Sequence, residues 1–354
     1  MPHIAAVATA VPPHRVSQET ARQLVATHFH PHRGDVDRLL DVFSHAGIET
    51  RCLCVPPLWF TEPKTFNEKN TLYIEWCTQL GAQVVLECAT RAGISPAEID
   101  HLIFVSTTGL ATPSIDARLV ETLQLSSHIR RTPVWGLGCA GGASGLALAC
   151  RLAASDPDAK VMLIAVELCS LTFHFADFSK SNFVATALFG DGAAGVLIVG
   201  DDVMASNGTA GPRIAATEST TWPGSLDVMG WNFDSVGMQV VFSRAIPQIV
   251  REKVRSNMES FLDSHRLTFS DLSHYIVHPG GAKVLEAYEE ALPLPNCALS
   301  HARSVLRDYG NMSSPTVLFV LERLLAAQAA RAGEWGILTA LGPGFSAENV
   351  LLQF

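Results

Sequence analysis

The feature that most constrains the fold of this chain is an internal repeat between its two halves. In the first half, VWGLGCAGGASGLALACRLAA reads as a turn entering a helix, and the strand-like KVMLIAVE follows. In the second half, LRDYGNMSSPTVLFVLERLLAA reads in the same way and leads to the strand-like EWGILTAL. Cys139 and Asn311 lie 172 residues apart (311 − 139), and the same offset relates Leu163 to Trp335. We therefore predict two related halves that each present a helix N-terminus to a shared centre.

Strand-like and helix-like segments alternate along the chain, which favours an α/β fold with a parallel or mixed sheet covered by helices. The first strand-like segment is IAAVATAV, helices are expected over residues 17–45 and 70–92, and the apolar run HLIFVSTT follows. Gly, Asn and Pro cluster in SNGTAGPRI, which places the boundary between the halves there. We predict an N-terminal half over residues 1–208, which holds Cys139, and a C-terminal half over residues 209–354.

Charge and hydropathy argue against two classes of partner. The formal net charge is −9, so neither nucleic acid nor an anionic membrane surface is an expected partner. Residues 132–150 carry no charge and are just long enough to span a membrane. This stretch contains five glycines and a proline, so we predict a buried strand, turn and helix rather than a membrane span.

The cysteines and histidines give no strong sign of a metal site. The eight cysteines are spread through a chain without a signal-peptide pattern, which predicts free thiols and a cytoplasmic protein. Only Cys52 and Cys54 lie close together, and one such pair is a weak zinc signal, so we expect no metal. His28, His30 and His32 alternate beside a proline and are predicted to form a solvated surface run.

Three segments carry residues that could act together in catalysis. Cys139 lies in GLGCAGGASGL, where small residues allow a sharp turn and the following helix N-terminus favours a thiolate. His278 follows an apolar strand in YIVHPGGAKVLEA, and Asn311 precedes a helix in GNMSSPTVLFVLERL. Taken singly, these are a buried thiol, a histidine at a strand end and a helix cap. Together they supply a nucleophile, a partner for its thiolate and a neutral hydrogen-bond donor.

Five short motifs occur along the chain in this order: GCAGGASG at Cys139, ALFGDGAA at Phe189, HPGG at His278, GNMSS at Asn311 and LGPG ending at Gly344. Together they resemble the motifs of type III polyketide synthases, the chalcone-synthase-like branch of the thiolase fold. The resemblance covers essentially the whole chain. It implies a thiolase-like α/β fold in which two related βαβαβ halves form a layered α-β-α-β-α sandwich. It also implies a homodimer in which Thr112 reaches into the cavity of the partner.

The resemblance assigns the chemistry. In the family, the cysteine is acylated by a coenzyme A (CoA) thioester, and the histidine and asparagine hold the thioester carbonyl of malonyl-CoA while it loses carbon dioxide. These roles fall on Cys139, His278 and Asn311. The CoA thioesters are substrates, so we expect no resident cofactor and no metal.

The substrate cavity is also assigned by resemblance. Phe189 matches the aromatic gatekeeper of the family, and Val240 replaces a second gating phenylalanine. Basic residues near the expected CoA site are Arg38, His45 and Arg51, of which Arg51 is assigned to CoA binding. The other predicted substrate-binding residues are Thr107, Thr108, Glu167, Cys169, Thr172 and Ser313. Thr107, Glu167 and Ser313 are expected to influence cyclisation.

Within the family, ELCSLTFHFADFSKSNFVATALFGDG and the short chain look most like bacterial alkylpyrone and alkylresorcinol synthases. That likeness implies malonyl-CoA and a medium- or long-chain fatty acyl-CoA as substrates. The length of the starter, the number of extensions and the mode of ring closure stay open.

Three other functions are compatible with this fold. An initiating ketoacyl synthase would condense once and take malonyl from acyl carrier protein, but HPGG and GNMSSP argue against it. A hydroxymethylglutaryl-type synthase would need a general base that no motif between Glu68 and Glu98 supplies. A catalytically inactive thiolase-fold partner subunit would be expected to lack Cys139, His278 or Asn311, and all three are present.

Overall fold

A computed structural model describes residues 1–203, 211–234 and 237–354. The strands of the described residues are β1 His3–Ala10, β2 His14–Ser17, β3 Thr50–Leu53, β4 His101–Val105, β5 Arg130–Val134, β6 Lys160–Leu168, β7 Asp191–Val199, β8 Arg213–Thr221, β9 Met229–Asp234, β10 Gly237–Phe242, β11 Leu272–Val277, β12 Trp335–Gly342 and β13 Ser346–Gln353.

The α-helices of the same residues are α1 Gln18–Phe29, α2 Val36–Ser44, α3 Phe66–Ala92, α4 Ile115–Thr122, α5 Gly141–Ala154, α6 Lys180–Leu188, α7 Ile246–Ile249, α8 Arg255–Ser264, α9 Ala282–Ala291, α10 Ser300–Tyr309 and α11 Thr316–Ala326. Short 3-10 turns include Pro57–Thr61, Gly138–Ala140 and Cys169–Thr172. A π-helical segment, Val250–Val254, joins α7 to α8.

The strand order repeats between the two parts of the main sheet. One part runs β1-β7-β6-β4-β5 and the other β8-β13-β12-β11. The first two contacts in each part are antiparallel and the third is parallel. The two parts meet where His3 of β1 pairs with Arg213 of β8. This order reproduces the predicted internal repeat and confirms the α/β class.

Helices α5 and α11 form a middle layer between the two parts of the sheet. Each contacts strands of both parts as well as the other helix. Six consecutive residues of α11, from Thr316 to Leu321, are buried, as expected for a helix covered on all sides. Gly142 allows the close approach of α5, because a Cβ there would lie 2.2 Å from the carbonyl oxygen of Ser314. Cys139 and Asn311 therefore enter the same central layer.

Helix α3 covers the first part of the sheet from outside, against β1, β6 and β7. It starts with a capping box between Thr65 and Glu68 and ends at Gly93, whose φ of +70° suits glycine. On the other outer side, Asn257 of α8 bonds to Thr220 of β8 and Asn349 of β13. The helices and sheet parts thus form the predicted α-β-α-β-α layers.

The predicted elements can be compared with the structure one by one. The helical region expected over residues 17–45 is two helices, α1 and α2, and α3 covers the helix expected at 70–92. Residues 132–150 form the end of β5, a 3-10 turn and most of α5, which confirms the predicted order of strand, turn and helix. The turn and the helix are buried, but the strand is not, because β5 lies at the edge of the sheet. The predicted boundary between residues 208 and 209 lies outside the described residues. Within the described ranges, no helix combines the length and apolarity needed to cross a membrane.

Candidate active site

Cys139 lies in the 3-10 turn Gly138–Ala140, which leads directly into α5. Gly138 has a φ of +48°, and a Cβ there would lie 2.8 Å from Cδ of Pro343, so the turn requires glycine. The backbone N–H of Gly138 donates a 3.1 Å hydrogen bond to Oγ1 of Thr107. Cys139 is buried, with 5 % of its surface exposed. The nucleophile is therefore held in a fixed turn at a helix N-terminus.

Asn311 is fixed by both its backbone and its side chain. Its backbone N–H donates to the carbonyl of Leu188, and its own carbonyl accepts from Gly190, so the Asn311 backbone pairs beside Phe189. Its Oδ1 accepts a 2.8 Å hydrogen bond from the backbone of Ser313. Its Nδ2 donates a 3.2 Å bond to the carbonyl of Gly280. The second Nδ2 proton is then available to Cys139 or to a ligand.

His278 follows β11 directly, and its backbone N–H donates to the carbonyl of Thr339 in β12. Its ring is buried, and neither Nδ1 nor Nε2 has a hydrogen-bond partner within the described residues. Gly280, whose carbonyl accepts the hydrogen bond from Asn311, lies beside this ring, because a Cβ on Gly280 would be 3.8 Å from His278 Nε2. The side chain of Asn311 lies close enough to Cys139 to lower the pKa of its thiol. The structure thus brings the three predicted catalytic residues together.

A buried carboxylate network lies behind the thiol. Oε2 of Glu167 accepts hydrogen bonds from the Thr107 backbone at 2.9 Å and from the Thr108 hydroxyl at 2.8 Å. Oε1 accepts a 2.8 Å bond from the hydroxyl of Ser314. Ser313, which was expected as a polar group near the nucleophile, lies close enough to Cys139 to lower the pKa of its thiol. The neighbouring Ser314, which the sequence did not indicate, supplies the hydroxyl that holds Glu167.

Two connected spaces lie beside Cys139. A chamber of about 30 Å³ is lined by Cys139 together with Thr107, Thr108, Cys169, Phe189, Val240 and Ser313. A larger cavity of about 370 Å³ shares Cys169, Phe189 and Val240 with this chamber and also contacts Thr172. Seven of the eight predicted substrate-binding residues thus line one or both spaces. Glu167 is the exception, because it lies behind the walls and holds them.

The comparisons with known proteins are consistent along the whole chain. The model of the chalcone and stilbene synthase N-terminal domain matches residues 2–203, and that of the C-terminal domain matches residues 213–354. The chain belongs to the chalcone and stilbene synthases, which are type III polyketide synthases. It is therefore an enzyme of the acyltransferase class with the thiolase-like fold of that family.

Individual relatives support the same family. The chain is 42% identical over 361 residues to the "Putative chalcone synthase" of Bacillus subtilis, covering 100% of this chain and 99% of the relative. It is 39% identical over 351 residues to the 1,3,6,8-tetrahydroxynaphthalene synthase of Streptomyces peucetius, covering 99% and 93%. The crystal structure of 1,3,6,8-tetrahydroxynaphthalene synthase from Streptomyces coelicolor matches with a TM-score of 0.93 at 26% identity and covers 99% of both chains.

Burial affects the protonation of the predicted catalytic pair of the synthase, Cys139 and His278. It raises the pKa of Cys139 to about 11 and lowers that of His278 to about 3. Hydrogen bonds from Ser313 and Asn311 act in the opposite direction on Cys139. The sequence predicted a lowered pKa for this thiol through an ion pair with His278. The structure corrects that expectation, because burial favours the neutral thiol and the neutral imidazole.

Glu167 gives the site a testable dependence on pH. Burial raises its pKa from 4.5 to about 7, against the hydrogen bonds from Thr107 and Thr108. The folded protein therefore binds more protons than the unfolded chain between these two values, and stability falls as the pH rises through this window. The shift corresponds to a loss on the order of 3 kcal/mol.

We expect Glu167→Gln to remove this dependence. Glutamine keeps one oxygen for the Thr107 and Thr108 donors, and the rotatable hydroxyl of Ser314 can accept from its amide. The difference in unfolding free energy between variant and wild type should grow from pH 5 to pH 7, as measured by urea denaturation. The exposed Glu75→Gln is the control. If the unfolding free energies of wild type and Glu167→Gln change with pH in parallel, the raised pKa of Glu167 is contradicted.

The gatekeeper assigned by resemblance lies at the junction of the two spaces. Phe189 is the residue that ends α6, and its ring meets that of Phe242 edge to face with centroids 6.4 Å apart. Phe242 follows Val240 by two residues, so both point to the same face of β10. The sequence did not indicate Phe242 as the aromatic partner of Phe189.

The surroundings of Arg51 do not favour the CoA-binding role that the sequence suggested. It is buried, with 2 % exposed, and desolvation lowers its pKa to about 10. Its guanidinium donates 2.8 Å hydrogen bonds to the carbonyls of Thr186, Ala187 and Phe189, and it also bonds to Gln18. These donors satisfy the C-terminal carbonyls of α6. Arg51 therefore holds the backbone of the gatekeeper rather than a phosphate.

Proposed function

We propose that this synthase extends a medium- or long-chain fatty acyl-CoA starter with malonyl-CoA and gives alkylpyrones, alkylresorcinols or both. The observation that carries the proposal is the 370 Å³ cavity that adjoins the chamber of Cys139. Small or apolar side chains line its inner part, among them Cys169, Ala185 and Val240. Such a space suits an alkyl chain, because each methylene that leaves water contributes about 0.8 kcal/mol.

The residues of the site can support every step of this reaction. The sulfur of Cys139 attacks the acyl-CoA carbonyl, the C–S bond to CoA breaks and the CoA thiol leaves with the proton that His278 accepts from Cys139. Malonyl-CoA then loses carbon dioxide, and the electron pair of the broken C–C bond forms an enolate. Donors on His278 and Asn311 stabilise its oxygen. The enolate carbon attacks the acyl group on Cys139, which expels the cysteine sulfur and lengthens the chain by two carbons.

A cluster of cations replaces Arg51 as our candidate for the CoA phosphates. Arg38 on α2, Lys180 at the start of α6 and Arg244 after β10 lie on elements that pack together, because α6 contacts both α2 and β10. Desolvation, Arg244 and Arg38 lower the pKa of Lys180. In a chain of net charge −9, this local positive charge favours a phosphorylated ligand. Arg33 is close by but is paired with Asp35 at 2.8 Å.

We expect Lys180→Ala and Arg244→Ala each to raise the KM for acyl-CoA by about tenfold or more, the scale of one lost charged hydrogen bond. An acyl thioester of N-acetylcysteamine lacks phosphate, so its KM should not change. Arg255→Ala on α8 is the control. An equal rise in the KM of both thioesters, or no rise in the KM of acyl-CoA, would mean that these cations do not bind the CoA phosphates.

The proposal is tested by incubating the enzyme with lauroyl-CoA, alone and with labelled malonyl-CoA. An active synthase of this kind gains a lauroyl mass on Cys139 and then releases alkylated products longer by two or three extensions. A single condensation that requires acyl carrier protein would favour the ketoacyl synthase alternative. No acyl mass would favour the inactive partner. Tetrahydroxynaphthalene formed from malonyl-CoA without lauroyl incorporation would contradict the fatty acyl starter and would be the product for which the Streptomyces relatives are named.

We further propose that the enzyme is a homodimer that acts in the cytoplasm. Three large apolar side chains are exposed in this region: Leu110 (45 %), Trp135 (47 %) and Phe233 (56 %). Leu110 lies two residues before Thr112. Trp135 follows β5, which ends the main sheet. A second chain would cover these side chains and bring Thr112 to its cavity. Light scattering that finds a fully active monomer would contradict the dimer.

The state of the cysteines supports the cytoplasmic location. All eight cysteines are unpaired, which suits a reducing compartment.

A further inference from the structure

Helix α1 forms a wall of the large cavity, a role that the sequence did not indicate. Ala21, Leu24, Val25 and His28 line the space at spacings of three, four and seven residues, which is one face of a helix. His28 was predicted to be a solvated surface residue, but it is half-buried. Its ring lies among those of Phe173, Phe175 and Phe178.

The exposure of the lining residues changes along the cavity. Where the cavity adjoins the chamber of Cys139, its lining includes the buried Cys169. Val16, Val25 and Leu53 also line the cavity as buried residues. At the other end, Thr27, Pro31, His32 and Thr61 are exposed while they still line the same space. The cavity therefore reaches the surface between the C-terminal end of α1 and the turn Pro57–Thr61. We call this opening the outer mouth.

The chemistry of the lining changes in the same direction. The Thr27 hydroxyl donates its proton to the carbonyl of Gln23 at 2.9 Å, and the Thr61 hydroxyl donates to that of Leu58 at 2.8 Å. Both oxygens remain able to accept a hydrogen bond. The outer mouth thus offers two acceptor oxygens and water, whereas the inner wall is mostly apolar.

We propose that the outer mouth holds the ω end of the starter and that the enzyme accepts long acyl chains ending in a hydroxyl group. This inference rests on the proposed fatty acyl starter. A hydroxyl on a short chain would be buried against apolar side chains without a partner, which is costly. On a longer chain, the hydroxyl would reach Thr27, Thr61 and water. The cost of the hydroxyl group must therefore depend on chain length.

The test compares methyl-terminated acyl-CoA starters with matched ω-hydroxyacyl-CoA starters from six to eighteen carbons. In wild type, the hydroxyl should lower kcat/KM by about tenfold or more in the shorter chains, the cost of an unpaired buried hydroxyl. For chains long enough to reach the outer mouth, the kcat/KM values of the methyl-terminated and the ω-hydroxy starter should agree within about threefold. A penalty that is the same at every length would overturn the inference.

Variants at the outer mouth separate its chemistry from simple exposure. Thr27→Val with Thr61→Val removes both acceptors and should restore at least part of the penalty for long ω-hydroxy chains. Thr27→Trp should block the mouth and lower kcat/KM about tenfold or more for long chains of both kinds, while the short chains are unaffected. The control is Thr71→Val on α3, because Thr71 makes the same 2.9 Å bond to the carbonyl four residues before it.

The outcomes distinguish this inference from the proposed function. A wild type that uses no methyl-terminated chain of eight carbons or more would defeat the proposed starter class. Turnover of such chains with no effect of Thr27→Trp on any length would defeat only the outer mouth. Malonyl-CoA decarboxylation without starter should be unchanged in all mouth variants, and its loss would show that a variant disturbs the catalytic site instead.

Discussion

Asn311→Ala is expected to lose malonyl-CoA decarboxylation by about a hundredfold or more, the effect of removing one oxyanion donor. The enolate oxygen gains charge only as carbon dioxide leaves, so the Nδ2 donor stabilises the transition state more than the substrate. Acyl transfer to Cys139 does not form this enolate and should be largely retained. Release of labelled carbon dioxide and the acyl mass on Cys139 measure the two steps separately.

Asn311→Asp is the matched variant for this experiment. Its carboxylate can still accept the hydrogen bond from the Ser313 backbone, so the local turn is preserved, but it offers no N–H and adds a negative charge. It should therefore lose decarboxylation at least as fully as the alanine variant. An equal loss of decarboxylation and acyl loading in both variants would mean that Asn311 only maintains the fold.

The repeat and the positions of the three predicted catalytic residues could be anticipated from the sequence because they depend on local signals. Cys139 and Asn311 precede helices at equivalent places, and the strand order around them repeats. The glycines beside Cys139 are required by close contacts, such as that between Gly138 and Pro343. His278 follows a strand that lies beside β12 in the same half. Each residue could therefore be placed from the element next to it.

The remaining features depend on contacts between segments that are distant in sequence. Arg51 is an exposed basic residue by residue type, and only the packing of α6 against β3 and α1 turns it into a buried partner of carbonyl groups. Ser313 and Ser314 are neighbours, and the backbone turn at Ser313, with φ of +59°, decides which of them faces Glu167. A residue pattern does not specify that choice.

His28 shows the same limit in the substrate cavity. A histidine beside a proline and a polar loop is usually solvated, and His32 is indeed exposed. His28 faces the segment Phe173–Phe178, about 145 residues away, and its Nε2 donates a 2.8 Å hydrogen bond to the carbonyl of Phe175. The α1 wall therefore became visible only once this segment was placed. The sequence did indicate the opposite wall, because Cys169 and Thr172 lie in a motif that the family shares.

The length of the preferred starter should respond most strongly to the narrow part of the cavity. Ala185 lies on α6 and lines the large cavity one turn before Phe189. A phenylalanine there would fill space that an alkyl chain otherwise occupies. Six methylenes contribute about 5 kcal/mol at most, so wild type could favour a longer chain by up to about three orders of magnitude in kcat/KM.

Ala185→Phe should remove most of that preference and move the optimum toward shorter chains, while malonyl-CoA decarboxylation is unchanged. Cys169→Phe should act in the same direction. Ala176→Phe, at an exposed position, is the control for adding an aromatic ring. The measurement is kcat/KM over a ladder of acyl-CoA starters that includes acetyl-, lauroyl- and coumaroyl-CoA. Because coumaroyl is rigid and leaves part of the cavity empty, it should be a poor starter. A wild type that prefers acetyl- or coumaroyl-CoA to lauroyl-CoA, or an unchanged profile in both phenylalanine variants, would show that the alkyl chain does not occupy this cavity.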